Sequence, residues 1–205
     1  MEKIKDINFK YNLKKYWSFL KNYKLSLVGV LLISLIIAAS YTATKFLFKL
    51  LIDNGTEFYE GTLSKEGLIE ILIFITIAYF TLKTLTAILR WLHVHFINKL
   101  ETGLIKDVKI KYFDHIVHLS HDFHTSNKTG SLISRVMRGG FAMERMTDII
   151  AFNTAPLLFQ TIMVVGALLL FNWQAAIAVL LTIIIFIIFS YIMQNHQRKA
   201  NILVN

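Results

Sequence analysis

Four histidines, His115, His118, His121 and His124, recur every third residue, with Asp114 and Asp122 among them and His93 and His95 upstream. Imidazoles and carboxylates suit zinc, copper or nickel. A spacing of three drifts around an α-helix, so at most two or three of the four share a face. Polar packing among helices is the simpler reading, and no metal ligand is assigned. Lys83 and Arg90 stand seven residues apart, on one helical face, where they would favour an anionic or amphipathic substrate. Lys83 lies about fifteen residues inside an apolar run, where a charge must snorkel, pair or face water. Asn153 and Gln160 form a second pair at the same spacing, with Pro156 between them. Packing through amides and a polar stripe along a substrate path both fit that pair, and proline kinks a helix. No residue reads as catalytic. The chain has no Gly-x-x-x-x-Gly-Lys-Ser/Thr phosphate loop. It has no cysteine, which excludes disulfides and thiolate chemistry.

The elements that must position these groups are long and apolar. Of 205 residues 55% are hydrophobic and only 17% charged, with one proline, and the mean hydropathy is +0.55. Soluble domains carry about 25% charged residues, so this composition predicts an integral membrane protein. The net charge of +9 does not point to nucleic acid, because the basic residues lie between apolar spans rather than in one patch. Residues 1–24 hold seven lysines, while Phe9, Leu13, Tyr16, Trp17 and Leu20 recur at helical spacing. That pattern predicts an amphipathic helix in the membrane interface. The first apolar run begins near Leu25 and is longer than the core of a secretory signal.

Four membrane helices are expected, at about 25–52, 68–120, 131–171 and 174–205 including extensions beyond the bilayer. Lys45 and Lys49 near the end of the first are expected to snorkel, and that helix to stop at Asp53-Asn54-Gly55. Asn172-Trp173-Gln174 reads as a tight turn. Lys and Arg crowd the N-terminal segment, residues 93–147 and the C-terminal end, but not 53–67 or 172–174. The positive-inside rule then places both termini and the central hairpin in the cytoplasm. Between 93 and 120 apolar residues keep helical periodicity at Ile97, Leu100, Leu104, Val108, Tyr112, Ile116 and Leu119. At about 1.5 Å per residue this extension reaches about 40 Å. The hairpin turns through His121 to Arg135, where Ser126 and Asn127 read as capping residues and Gly130 as the reversal point.

Several of these residues carry a resemblance. Phe113-Asp114-His115-Ile116, Leu119, Phe123-His124 and Lys128-Thr129-Gly130-Ser131-Leu132-Ile133-Ser134-Arg135-Val136 follow the order seen in type I ABC exporter transmembrane domains. Leu51-Ile52-Asp53-Asn54-Gly55 resembles the end of that family's first membrane helix. The likeness covers about residues 10–205. The Phe-His element and Arg138-Gly139-Gly140 are most similar to the half-transporter branch that includes the mitochondrial iron–sulfur and glutathione-conjugate exporters. Two features depart from it. Tyr41 to Lys49 lacks a proline, and Gln194-Asn195-His196-Gln197-Arg198-Lys199 does not match the paired arginines of the glutathione-exporting branch.

The resemblance implies an all-α membrane fold: an interfacial elbow helix within 1–24, then helices one to four of an expected six across 25–205. It implies that the nucleotide-binding domain, with its ATP and Mg, lies outside this sequence. It also implies a second transporter half, as homodimer or heterodimer, and location in the plasma membrane of a prokaryote. Asp122, Phe123, His124, Ser126, Asn127, Lys128, Thr129, Gly130 and Arg135 would then form or flank a coupling helix seated on the nucleotide-binding domain. Lys83, Arg90, Asn153 and Gln160 become candidates for the translocation path. The sequence alone leaves open a non-transport four-helix membrane protein, such as a His-rich metal sensor or assembly factor.

Overall fold

A computed structural model describes residues 9–204; Lys3 and Lys5 of the basic N-terminal segment lie outside them. Among the described residues there are helices and turns but no strand: α1 (Phe9–Leu20), α2 (Lys24–Tyr59), α3 (Lys65–Val117), α4 (His121–Ser126), α5 (Thr129–Asp148), α6 (Ala155–Phe171) and α7 (Trp173–Val204). A 3₁₀ turn, Lys21–Tyr23, joins α1 to α2, and a π-helical turn, Ile149–Thr154, joins α5 to α6. Four continuous helical stretches are long and apolar enough to cross a bilayer. The chain divides into two units, one ending at Phe159 and the other beginning at Gln160.

In the first unit α2 and α3 pack along their length. Val30, Ser34, Ala38 and Thr42 recur every fourth residue on α2 and are buried. Small side chains let two membrane helices approach closely. The buried hydroxyls of Ser40 and Thr42 donate to the carbonyls of Ile36 and Ala38, four residues back, so neither is left unsatisfied. Val30, Ile97 and Ala151 close one apolar cluster. Beyond the spans, Tyr16, Phe19 and Leu20 of α1 bury against Leu100, Leu104 and Val108 of α3, with Met143 and Met146 of α5 alongside.

Three local expectations change. Much of the apolar face of α1 packs on α3 rather than facing lipid; Leu13 and Trp17 remain exposed. The aromatic periodicity is the same for either partner, which is why spacing alone did not separate them. The first membrane helix does not stop at Asp53-Asn54-Gly55 but continues to Tyr59. Asn54 and Thr56 donate to the carbonyls of Leu50 and Ile52, and the chain breaks instead at Gly61, where φ is +77°. Lys49 does not only snorkel; it pairs with Asp53 one turn on.

In the second unit Asn172 alone separates α6 from α7. Its side-chain oxygen accepts from the amides of Gln174 (3.0 Å) and Ala175 (3.1 Å), an N-cap that starts α7 directly.

Candidate functional site

The site is the far end of the hairpin formed by α3 and α5. Ser120 starts α4 as its N-cap, accepting from the Phe123 amide at 3.4 Å. At the other end the Phe123 carbonyl gathers three donors: the Asn127 amide (3.1 Å), Asn127 Nδ2 (2.9 Å) and Ser126 Oγ (3.1 Å). Asn127 and Lys128 are then extended, with ψ of 132° and 120°, and this pair reverses the chain. Gly130 does not. It lies in the first turn of α5, and among the described residues only Gly61 has positive φ. Ser126 and Asn127 close α4, while its N-cap is Ser120, which with Asp122 in the first turn could have been read from the sequence as a helix start.

Asp122, His124, Ser126, Lys128, Thr129 and Gly130 are exposed, and nothing of this chain lies within 4 Å of a Cβ built on Gly130. Phe123 is half-buried and meets the His124 ring edge-on at 5.8 Å. It lines a groove of about 950 Å³ together with Tyr11 and Lys15 of α1, Tyr112, His115, Ile116 and Leu119 at the α3 end, and Leu132, Arg135, Met143 and Arg145 of α5. The floor is apolar. Its charged lining is entirely basic, with Lys15, Arg135 and Arg145 and no carboxylate.

The remaining candidates do not line this groove. Arg90 hydrogen-bonds the Tyr41 hydroxyl of α2 and stands over its ring, 5.5 Å from the centroid. Lys83 stands 5.3 Å from the centroid of the Tyr79 ring on its own helix. Asn153 falls inside the π turn. There the Ala155 amide bonds back five residues to the Ile150 carbonyl, and the Thr154 hydroxyl to that of Ile149. The wide turn directly precedes Pro156, whose ring cannot sit against a regular preceding turn. Gln160 lies on α6 and is half-buried.

The histidines separate as well. His93 is buried, 2.8 Å from Ser34 Oγ and edge-on to Phe152. His95 stacks on Trp91, and His118 meets the Asp114 carbonyl at 2.8 Å. Among the described residues no three His, Asp or Glu side chains are placed to hold a metal.

Two polar contacts outside the spans involve residues that no site motif included. Tyr16 and Thr147 join α1 to α5 at 3.0 Å, and the Tyr23 hydroxyl donates to Asp107 at 2.9 Å. Burial raises both phenols above their ordinary range, so each stays protonated. Gly103 lies directly beneath Tyr23, where a Cβ would come within 2.4 Å of the ring.

A long helical hairpin continuous with membrane spans and closed by a six-residue helix is the arrangement on which the comparisons bear. The family model described as the ABC transporter transmembrane region matches residues 17–205. The chain belongs to that family. It is 27% identical over 171 residues, 83% of its own length, to an ATP-dependent lipid A-core flippase of Desulfotalea psychrophila. It is 25% identical over 193 residues, 92% of its length, to ATP-dependent lipid A-core flippase 1 of Colwellia psychrerythraea. It is 32% identical over 102 residues, 47% of its length, to ABC transporter B family member 6 of Dictyostelium discoideum. The matched regions cover 28%, 30% and 15% of those three proteins, so the chain spans less than a third of each. It is an integral membrane protein and a transporter membrane portion.

Proposed function

We propose that this chain supplies the first four membrane helices of one half of an ATP-driven exporter, and that α4 is the element through which a nucleotide-binding domain moves them. The observation that carries this reading is the hairpin. α3 and α5 run on well past their apolar spans and present, at their far end, a short capped helix with an exposed polar surface. A rigid lever transmits a displacement only through its end, and coupling requires a partner that binds that end differently in two states. ATP and Mg belong to the partner domain; the residues here act by contact. In this reading both termini and the tip are cytoplasmic, which the distribution of Lys and Arg supports, and the membrane is the plasma membrane of a prokaryote.

The two flippase relatives support an amphipathic, anionic substrate, in keeping with the basic Lys83, rather than the cargo of the mitochondrial branch that Phe123-His124 and Arg138-Gly139-Gly140 resemble. The groove beside α1 and the many exposed apolar side chains of α3 and α7 are surfaces for the remaining helices and for a second transporter half.

The test uses the complete transporter in proteoliposomes. Gly130→Val adds bulk where this chain has nothing to meet it, so its effect reports a partner. Phe123→Ala removes the aromatic wall behind α4. Both are expected to lower transport more than basal ATP hydrolysis, with insertion intact. Wild-type transport by both folded variants would rule out the coupling role.

A further inference from the structure

Glu101 lies on α3 nine residues past the apolar span that ends near Leu92, about 13 Å beyond it along the helix. Its neighbours are unusual for a charge. Leu100 and Leu104 flank it in the apolar cluster that joins α1, α3 and α5. One carboxyl oxygen, Oε1, is sealed from solvent and has no hydrogen-bond partner. Facing it from α5 are Asp148, near enough to share a hydrogen bond, and Glu144. From α1 it is faced by Tyr16, whose hydroxyl is committed to Thr147. Tyr23 of the 3₁₀ turn, committed to Asp107, and Leu27 of α2 pack against the same apolar cluster. Among the described residues no Lys, Arg or His forms an ion pair with Glu101, Glu144 or Asp148.

Three carboxyl groups therefore act on one another at a helix junction, around a half-buried Glu101, with no cation in ion-pair contact among the described residues. A buried, unpaired carboxylate is costly, and like charges beside it add to the cost. A proton removes both terms. Protonated, Glu101 becomes a donor that the Asp148 carboxylate accepts, tying α3 to α5 across the base of the hairpin. We infer that Glu101 is a proton-binding site that clasps α1, α3 and α5 together when occupied and loosens that junction when empty. The clasp rests on this geometry alone and not on the transport reading.

Burial first, then the Asp148 and Glu144 charges, pushes Glu101 up to about 7 from 4.5. The folded value lies above the ordinary one, so the stabilisation is complete below about 4.5, is lost as pH rises from there, and is gone just above about 7. Thermal unfolding of the detergent-solubilised chain, followed from about pH 4.5 to about pH 8.5, tests this. The melting temperature is expected to fall as pH rises from about 4.5 and to level off just above about 7. Glu101→Gln keeps a donor but cannot ionise; it should abolish this fall and melt above the wild type at the alkaline end. Glu144→Gln leaves Glu101 in place and removes a repelling charge, so the fall should level off at lower pH. A purely structural role for these side chains would not move the levelling-off point. Persistence of the full wild-type fall in Glu101→Gln would overturn the proposal. Should that variant fail to fold, an unmoved levelling-off point in Glu144→Gln would overturn it equally.

Discussion

Side-chain chemistry is what separates the cations of the membrane region. Arg90 is committed to Tyr41 and so ties α3 to α2, whereas Lys83 contacts only a ring of its own helix in the described contacts. Arg90→Gln and Tyr41→Phe should each lower the melting temperature of the chain, and the double variant should fall no further than the worse single. Additive losses in that cycle would show the pair to be independent. Lys83→Gln should leave the melting temperature unchanged and, in the complete transporter, alter stimulation of ATP hydrolysis by anionic amphiphiles. At the tip, Ser120→Ala removes the N-cap of α4. A lost cap costs about 1 kcal/mol, which should appear as faster amide exchange at Phe123 and His124 with the rest of the hairpin unaffected.

Helices hold together outside the bilayer by a few buried contacts, which makes the α1–α3 junction sensitive. Leu104 is fully buried, and Leu104→Ala is expected to cost about 2–5 kcal/mol. Gly103→Ala drives a methyl into the Tyr23 ring and breaks its bond to Asp107. Overpacking of this kind costs about 1–3 kcal/mol. Chemical denaturation in detergent measures both. Tyr23→Phe loses the bond but keeps the ring and should cost less than Gly103→Ala; the reverse order would mean that the ring moves aside freely. Helix type and approximate extent were legible here because apolar runs of bilayer length admit few alternatives. Ends were less so. Gly55 looked like a stop, yet glycine ends a helix only where φ turns positive, and that happens at Gly61.

For the molecule as a whole, the orientation across the membrane is the main prediction. Because the chain has no cysteine, single cysteines introduced at 57 and 124 report cleanly. An impermeant thiol reagent added to intact cells should label position 57 and spare 124 until the membrane is opened. Labelling of 124 in intact cells would invert the topology and remove the tip from any cytoplasmic partner. The same reagents applied along 97–119 in the assembled transporter should find the outer face of the α3 extension protected where another helix covers it.

The sequence by itself determined the membrane class, the four long helices, the hairpin and the family likeness, because each rests on one-dimensional quantities: length of apolar run, periodicity, charge asymmetry and motif order. Only the tertiary structure decided which partner each side chain meets. It turned much of the apolar face of α1 onto α3, gave Arg90 to Tyr41, scattered the histidines, and set a π-helical turn before Pro156. It also brought Glu101 to Glu144 and Asp148 across more than forty residues of chain. No local pattern encodes that meeting, because it depends on the register in which two long helices pack, and register is fixed by contacts summed along their whole length.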